Sequence, residues 1–470
     1  MWVMLTSLFV AAVMVTSIVF AVRAADTART PQGAVGWVVF LIAAPYLAIP
    51  AYLFLGHSRY YGYVIGRRES KRIMDALRVF RDENAPEPGS LGVAPGPFED
   101  SAELPVVRGN GADLLIDGQA TFDAIFAAID AAETYVLAQF YIVHDDDLGR
   151  TFQERLIAAA RRGVTVRLMV DAVGSLRLPE SYSHTLRQAG VEVVDRETTR
   201  GPRFRFQLNF RNHRKTVIVD GTTGFIGGLN VGDEYMGRDP KFGHWRDTHL
   251  KIAGPMVSQL QLIFAEDWHW GTEEVLLDDL NWQAGRDPRD MNGLIVATGP
   301  GDASETGSMM YFAAIAEAKE RVWIASPYFV PDLDVITALR HAALRGVDVR
   351  LLVPGMADHK VTWLAAFSYF DMVMDAGVKV YRYKDGFMHQ KAFLVDDSIA
   401  AVGTTNMDNR SFRLNFEAMA LLFDTPMCGA VETMLLQDFA QTEEQTLRLE
   451  DHPAYVRWGA PVARLFSPLL

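Results

Sequence analysis

The sequence has few of the residues on which several classes of protein depend. It contains one cysteine, Cys428, which excludes an intramolecular disulfide framework and a cysteine-rich metal site. Its formal net charge is −13, and this argues against a general nucleic-acid-binding protein, because such proteins have a basic footprint. The H-E-x-x-H spacing of a metalloprotease is also absent. We therefore predict chemistry that needs neither a metal nor another cofactor, and no nucleic-acid partner.

The N-terminal part has two long uncharged runs, residues 2–22 and 33–55. Each run is long enough to cross a hydrocarbon core of ~30 Å as a helix that rises ~1.5 Å per residue. The two runs predict a transmembrane hairpin over residues 1–56, with a kink at Pro45 or Pro50. In an alternative interpretation the first run is a cleaved signal peptide, although it lacks a basic n-region, and the second run remains as the anchor.

Positive charge predicts the orientation of this hairpin. Residues 57–81 are rich in arginine and lysine, whereas the loop between the two runs has only Arg23 and Arg29. The positive-inside rule therefore places everything after Leu55 in the cytoplasm. The basic segment faces either anionic headgroups or solvent. With the Pro- and Gly-rich linker that follows, it makes up residues 57–105.

The rest of the chain is internally duplicated. Residues 162–168 (R-G-V-T-V-R-L) match residues 345–351 (R-G-V-D-V-R-L). This period is far longer than a solenoid repeat and predicts two domain-sized halves, residues 106–285 and 286–470, joined by an acidic stretch near 271–290.

Within each half, amphipathic segments alternate with short β-branched runs. In the first half we expect helices over 120–133 and 150–162 and strands over 135–143 and 164–170. Such alternation predicts an α/β sandwich with a parallel or mixed sheet.

One short string, H-x-K-x4-D-x6-G-x-x-N, occurs in both halves with identical spacing. Its members are His213, Lys215, Asp220, Gly227 and Asn230 in the first half and His389, Lys391, Asp396, Gly403 and Asn406 in the second. The apolar run after each lysine predicts that His and Lys open a strand and share one face. The two aspartates fall on the opposite parity at the strand end. We place them among the candidate catalytic residues, in a structural or positioning role.

Together the two strings supply two imidazoles, two ammonium groups and two carboxamides, a set that suits a phosphodiester. The lysines and asparagines would hold the phosphate, one imidazole would attack phosphorus, and the other would protonate the leaving alkoxide. Asp247 and Glu417 lie downstream of the two strings and would orient the histidines as in a Ser-His-Asp triad. For either acid alone, an ordinary salt bridge is the alternative.

Two further features bear on this site. Arg200, Arg203, Arg205 and Arg211 lead into the first string and would attract an anionic substrate. A metal site is the rival interpretation of the histidines, but the lysine two residues after each of them and the lack of a cysteine cluster argue against it.

These features resemble the phospholipase D superfamily and, within it, the bacterial cardiolipin synthases. The resemblance rests on both strings, the N-terminal hairpin and three short phrases: Q-F-Y-I at 139–142, S-P-Y-F at 326–329 and S-P-L-L at 467–470. The first half has Gly227-Gly228 where many relatives have Gly-Ser.

The resemblance implies two pseudo-symmetric phospholipase D-like halves that share one active site. It also implies a multi-pass protein of the bacterial inner membrane, acting on phosphatidylglycerol and other anionic phospholipids. One phosphatidylglycerol would form a phosphohistidine and release glycerol, and a second would resolve this intermediate to cardiolipin. By analogy His213 is the nucleophile and His389 the general acid, then base, although nothing in the sequence separates the two roles.

Other functions stay open at this point. A hydrolytic phospholipase D, or a phosphatidyltransferase with another alcohol acceptor, would use the same site chemistry. A membrane-tethered nuclease would need a basic groove, and a non-enzymatic scaffold would keep its function without either histidine. The sequence also leaves an oligomer open.

Overall fold

The computed structural model describes residues 1–28, 30–56, 79–195, 211–302 and 304–470. The N-terminal helices belong to one compact unit, and the rest of the described chain belongs to a second unit. The predicted basic residues at 59–78, and Arg200, Arg203 and Arg205, lie outside the described residues.

The N-terminal unit consists of three apolar helices, α1 (Trp2–Thr27), α2 (Pro31–Ala43) and α3 (Pro45–Leu55). Helix α1 packs against both of the others, and the small core between them includes Ala24 and Leu41. Among the described residues, α1 is the one helix that is long and apolar enough to cross a membrane.

The second apolar run differs from the single helix that we expected. It is divided at Ala44, which has a φ of −140° and separates α2 from α3. The cause is Pro45, because a proline lacks an amide donor and disfavours the helical conformation of the residue before it. Pro50 lies inside α3. The predicted kink is therefore at Pro45, and it is a break between two short helices.

The second unit is built on one mixed sheet to which both halves contribute. The strands of the first half are β1 (Val107–Ile116), β2 (Tyr135–Phe140), β3 (Thr165–Val170), β4 (Glu192–Val194), β5 (Arg211–Asn212), β6 (Thr216–Val219), β7 (Thr223–Gly227), β8 (Trp245–Arg246) and β9 (Thr248–Ala253). Those of the second half are β10 (Met291–Thr298), β11 (Arg321–Ala325), β12 (Phe329–Val330), β13 (Asp348–Pro354), β14 (Lys379–Tyr383), β15 (Phe387–Met388), β16 (Ala392–Val395), β17 (Ile399–Gly403), β18 (Met407–Asp408), β19 (Asn415–Phe423) and β20 (Thr442–Glu444).

The order of the strands confirms the duplication. From the outer edge inward the first half runs β4-β3-β2-β6-β7-β9-β1. The second half repeats this pattern as β14-β13-β11-β16-β17-β19-β10 and adds β20 at its outer edge. The halves join where β1 pairs with β10, through Val107 with Gly293 and Asn110 with Met291. A single sheet therefore crosses the pseudo-symmetry axis.

Helices cover both faces of this sheet. In chain order they are α4 (Gly96–Ala102), α5 (Asp117–Ala131), α6 (Asp147–Arg161), α7 (Glu180–Gln188), α8 (Pro255–Thr272), α9 (Thr306–Glu317), α10 (Leu333–Leu344), α11 (Lys360–Met374), α12 (Asn409–Arg413), α13 (Thr425–Phe439) and α14 (Ala454–Arg464). One buried cluster contains α8 and α13 and spans both halves, whereas two others lie on the opposite face, one in each half. The α/β sandwich prediction is thus confirmed.

The predicted helix stops are also present. Gly163 and Gly346 follow α6 and α10 with φ values of 91° and 92°. This left-handed conformation is easy for glycine, which has no Cβ. Each stop turns the chain into a buried strand, β3 or β13, and the repeat therefore preserves local geometry as well as sequence.

Candidate active site

The two motif strings meet because the short strand before each histidine pairs with the opposite half. Strand β5 is parallel to the start of β19, and the amide of His213 donates to the carbonyl of Phe416 (2.9 Å). Likewise β15 pairs with β8, and the amide of His389 donates to the carbonyl of Arg246 (2.8 Å). Each histidine is therefore fixed by the half to which it does not belong.

This pairing corrects one prediction. The histidines and lysines do not open the motif strands, which begin at Thr216 and Ala392. His213 and Lys215 lie in the irregular connection between β5 and β6, because the backbone there has to leave one strand partner and reach another. The side chain of Lys215 nevertheless contacts His213, since its Nζ donates to the backbone carbonyl of His213 at 2.6 Å.

The orienting carboxylates are paired crosswise with the histidines. Glu417, from the second half, has its Oε1 3.2 Å from Nδ1 of His213. Asp247, from the first half, has its Oδ2 2.8 Å from Nδ1 of His389. Both carboxylates are fully buried. Because Nδ1 of each ring is engaged, Nε2 is the nitrogen left to react with a substrate.

Burial sets the charge states of this site. It lowers the pKa of both imidazoles, that of His213 to about 4, against the opposing effect of the facing carboxylates. For Asp247 and Glu417 burial acts to raise the pKa, but the nearby histidines and lysines outweigh it and the pKa of each carboxyl is lowered. At neutral pH the site therefore holds neutral imidazoles beside ionised carboxylates.

The two lysines are also buried, and burial lowers their pKa, to about 8 for Lys215 and about 7 for Lys391. The Nζ of Lys391 donates to the carbonyl of His389 and also lies 2.9 Å from its Nδ1. An ionised Asp247 accepts hydrogen bonds but cannot donate one, so we assign the Nδ1 proton to the bond with Asp247. Lys391 then acts on His389 through its charge.

The two motif asparagines are not equivalent. Asn230 accepts from the amide of Ile142 (3.1 Å) and donates to the hydroxyl of Tyr235 (3.2 Å). Asn406 is equally buried, but its side-chain oxygen has no hydrogen-bond partner in the part of the chain that the structure describes. The carboxamide of the second half is therefore the freer of the two for a ligand.

The motif aspartates have structural contacts. Asp220 accepts hydrogen bonds from three consecutive amides, those of residues 133–135, at 2.7 to 3.0 Å. Asp396 does the same for the amides of residues 319–321, at 2.8 to 2.9 Å. Both have a left-handed backbone, with φ of 53° and 49°. These carboxylates hold the turns that lead into β2 and β11, contacts that fit the structural role suggested for the two aspartates.

Sequence reasoning missed a buried clamp behind His213. The guanidinium of Arg214 donates to Asp267 (2.6 Å), to the carbonyl of Glu417 (3.1 Å) and to the carbonyl of Thr298 (3.2 Å). Arg214 and Asp267 are each 2% exposed. The clamp therefore ties α8 of the first half to the backbone of the residue that orients His213.

A second clamp lies behind His389, but its arginine comes from another position. Arg246 makes two bonds to Asp438 (2.6 and 2.9 Å) and one to the carbonyl of Asp247 (2.6 Å). Gln390, the counterpart of Arg214, also donates to Asp438 (2.7 Å). Arg246 itself occupies the position that Phe416 has in the other half. The same physical connection is thus made from non-equivalent residues.

Two aromatic rings that the motif does not include line the site. The ring of Tyr141 lies 4.0 Å from that of His213, between centroids, and the ring of Trp245 lies 5.2 Å from that of His389. Arg211, predicted to attract anions, is in side-chain hydrogen-bond contact with Tyr141. The sequence signals for these rings were the Q-F-Y-I phrase at 139–142 and the residues H-W-R-D at 244–247 that lead into Asp247.

Glycine is required at one position of the first motif. A Cβ on Gly228 would lie 2.0 Å from Oδ1 of Asp247. Its counterpart in the second half is Thr404, whose hydroxyl accepts from the amide of Ala418 (2.9 Å). The Gly-Gly of the first half is therefore matched to a carboxylate that packs directly on the turn.

Within the described residues no group of three or more His, Cys, Asp or Glu side chains could hold a metal ion. Chemistry without a metal stays a prediction, and it rests on the lysines that stand beside both histidines.

Comparison with known proteins adds to this geometry. The family described as "Cardiolipin synthase, PLD-like domain" matches residues 125–268 and 311–439. The chain is 45% identical over 468 residues to cardiolipin synthase A of Pseudomonas putida (strain GB-1), with 96% of each chain covered. It is 45% identical over 473 residues to cardiolipin synthase A of Pseudomonas aeruginosa (strain LESB58), with 98% of this chain and 96% of the relative covered.

Among solved structures, phosphatidylserine synthase of Haemophilus influenzae Rd KW20 has a similar fold. The TM-score is 0.60 at 15% sequence identity, covering 80% of this chain and 99% of the other. The two matched segments of the family contain His213 and Asp247 in one and His389 and Glu417 in the other.

Proposed function

Because the chain belongs to the family of cardiolipin synthases built from phospholipase D-like domains, we propose that it is a membrane-bound phosphatidyltransferase. It converts two molecules of phosphatidylglycerol into cardiolipin and glycerol. The observation that carries this proposal is the pair of crossed His–carboxylate contacts, His213 with Glu417 and His389 with Asp247, in one site with two buried lysines.

The first step is capture of the donor phosphodiester. Lys215 and Lys391 neutralise its nonbridging oxygens, and Asn230 and Asn406 complete the phosphate contacts. A buried ammonium group stabilises a phosphate more than an exposed one does, since less water screens the charge. The negative charge of the bound phosphate in turn favours the protonated form of His389, which Asp247 stabilises.

The chemical steps need one nucleophile and one proton carrier. Nε2 of His213 attacks phosphorus, the bond from phosphorus to the glycerol oxygen breaks, and His389 gives its Nε2 proton to that oxygen. A hydroxyl of the second phosphatidylglycerol then loses its proton to His389 and attacks phosphorus. The bond from phosphorus to His213 breaks, and the enzyme is restored with no net change in protons.

The membrane topology belongs to the same proposal. The apolar helix α1 and the apolar pair α2–α3 form a multi-pass anchor in a bacterial inner membrane, with the catalytic unit in the cytoplasm. The support is the excess of basic residues in 57–81 over the loop that contains Arg23 and Arg29. Thiol labelling of single cysteines in the loop and after Leu55, from each side of sealed vesicles, tests this orientation.

The decisive experiment follows label from the phosphate of phosphatidylglycerol in the full-length protein. An alkaline quench during the first turnover, which preserves phosphohistidine, should show label on His213, and the completed reaction should give cardiolipin plus glycerol. His213→Ala should give neither. Label on His389 would exchange the roles of the two histidines, and turnover without any labelled protein would contradict the covalent mechanism.

The products distinguish this proposal from the other activities of the same site. Phosphatidic acid without cardiolipin would contradict the transferase and leave a hydrolytic phospholipase D. Cardiolipin formed only when another phospholipid is added would change the phosphatidyl donor and keep the chemistry.

A further inference from the structure

Helix α14 (Ala454–Arg464) carries an exposed apolar stripe on the catalytic unit. Tyr455, Trp458, Val462 and Leu465 are 66%, 70%, 57% and 78% exposed. At 100° per residue these side chains fall within one sector of the helix surface and its continuation, a spacing typical of an amphipathic face. Large aromatic and aliphatic side chains are therefore aligned where nothing in the described chain covers them.

The opposite face of α14 is fixed to the protein. Val456, Ala460 and Ala463 are buried, and the helix packs along α11. A hydrogen bond of 2.9 Å from the hydroxyl of Tyr369 to Ser467 holds the chain just beyond the helix. The exposed stripe thus belongs to a firmly docked helix, and a frayed end does not explain it.

The chemistry of the stripe favours a lipid surface as its occupant. Arg457 and Arg464 are both exposed and lie seven residues apart, so that they follow one flank of the apolar sector. Trp and Tyr beside arginines are enriched where protein meets the headgroup region of a bilayer, and the arginines complement anionic lipid.

Size argues against a second copy of the chain. A helix of 11 residues is only about 16 Å long at ~1.5 Å per residue. A stripe of that length and about 10 Å wide offers far less than the ~800 Å² per partner of a stable protein interface.

The stripe is also close in sequence to residues that contact the active-site region. After Leu465 the chain reaches Leu469 and Leu470, whose carbonyls accept from the side chain (3.1 Å) and the amide (2.7 Å) of Arg410. Arg410 lies four residues after Asn406, and its positive charge contributes to lowering the pKa of His213. A membrane position taken up by α14 would thus be transmitted to the substrate site over a few residues.

We propose that α14 docks into the interfacial region of a phospholipid bilayer through Tyr455, Trp458, Val462 and Leu465, and that it sets the candidate active site at headgroup depth. The substrate would then reach the histidines without leaving the interface fully. This inference rests on the proposed function, because it concerns how a bilayer phospholipid reaches that same site.

Site-directed labelling of the full-length protein tests the docking directly. Cys428 is buried, so a fluorophore is attached through Trp458→Cys or Leu465→Cys in a chain reconstituted into vesicles of phosphatidylglycerol and phosphatidylcholine. We expect brominated acyl chains to quench both labels at least threefold more than a label at Leu344→Cys, a residue on α10 that is 72% exposed. Aqueous iodide should show the reverse order.

Activity provides the second readout. In Trp458→Asp with Leu465→Asp, turnover of long-chain phosphatidylglycerol in vesicles should fall at least tenfold. Turnover of a short-chain phosphatidylglycerol below its critical micelle concentration should change less than twofold, because a monomeric substrate needs no docking. Equal loss on both substrates would mean that the stripe supports the fold and would overturn the proposal.

Two other outcomes would also overturn it. Iodide quenching at positions 458 and 465 as strong as at 344 would leave the stripe in water, and lipid-independent protection by a second copy would make it a dimer surface. The proposed function is judged separately, since wild-type protein that makes no cardiolipin from either substrate would contradict that function whatever the labels report.

Discussion

A pair of substitutions tests whether the two clamps hold the orienting carboxylates. They move the buried arginine of the first clamp to the position that the arginine occupies in the second clamp. Arg214→Gln removes the guanidinium that joins Asp267 to the carbonyl of Glu417. Phe416→Arg, added to it, copies the layout of Arg246 and Gln390 behind the other histidine. The ring of Phe416 already lies 5.6 Å from the guanidinium carbon of Arg214, so the transplanted charge starts close to its target.

The magnitude follows from burial and from the bonds that remain. Removing one partner of a buried ion pair costs about 3–5 kcal/mol. Asp267 keeps hydrogen bonds from Gln139 (2.7 Å) and Asn212 (3.1 Å), which favours the low end, ~3 kcal/mol. In addition, the backbone of Glu417 is released. Loss of a triad carboxylate costs about 10⁴ in kcat, and we expect a loosened one to cost about 10².

The assay measures kcat and the thermal midpoint of full-length variants in detergent. Arg214→Gln should lower both, and the double variant should regain at least tenfold in kcat and most of the midpoint. Phe416→Arg alone should be destabilised, because it adds a second buried cation beside one carboxylate. Arg155→Gln is the control, since it breaks an exposed pair with Asp130 and should cost about 0.5 kcal/mol or less. A double variant no better than Arg214→Gln would refute the reasoning.

The site geometry gives four more expectations. Asp247→Asn should lower kcat by about 10³–10⁴, because an amide does not stabilise the imidazolium of the facing histidine. An unchanged kcat would contradict the orienting role of Asp247. The profile of kcat/KM against pH should fall as the pH rises through neutrality, because two required protons are lost there: that of His389, whose pKa burial lowers, and that of Lys391, whose pKa burial lowers to about 7. A profile that stays flat to pH 9 would exclude this. Gly228→Ala should lower kcat by at least 10², because the added carbon would clash with Asp247. Gly429→Ala is the control, since no atom lies within 4 Å of its added carbon. It should keep full activity and gain up to ~1 kcal/mol in the free energy of unfolding. Asp220→Asn should lower the thermal midpoint by the equivalent of about 2–3 kcal/mol in the free energy of unfolding and leave the kcat of the folded protein within threefold of the wild-type value. A loss of kcat without a change in the midpoint would show that Asp220 has a catalytic role.

The sequence predicted the elements well where local pattern decides them. The segments predicted to be amphipathic helices are α5 and α6, and the β-branched runs are the strands β2 and β3. The repeated Arg-Gly phrase ends a helix in both halves. It was wrong about the strand starts at Thr216 and Ala392. The spacing of residues in the motif predicts only the strand itself. The backbone conformation of the irregular residues before the strand is determined by a partner strand in the other half.

The crossed pairing was beyond sequence reasoning for a related reason. The motif aligns Asp247 with His213 and Glu417 with His389 along the chain, yet in space each carboxylate faces the other histidine. Packing of β5 on β19 and of β8 on β15 decides this. The clamps were missed because their arginines, Arg214 and Arg246, come from positions that the repeat does not align.

The departures from symmetry matter for how the two histidines divide their work. His213 faces a longer carboxylate, Glu417, and also has the amide of Asn415 3.2 Å from its Nδ1, whereas His389 has the shorter contact of 2.8 Å with Asp247. A looser carboxylate contact stabilises an imidazolium less, and burial accordingly leaves the pKa of His213 at about 4. A nucleophile has to be unprotonated, and a proton carrier profits from a tightly held carboxylate that stabilises its cation. The near-symmetric frame thus gives each histidine the environment that its proposed role requires, His213 for attack on phosphorus and His389 for the transfer of protons.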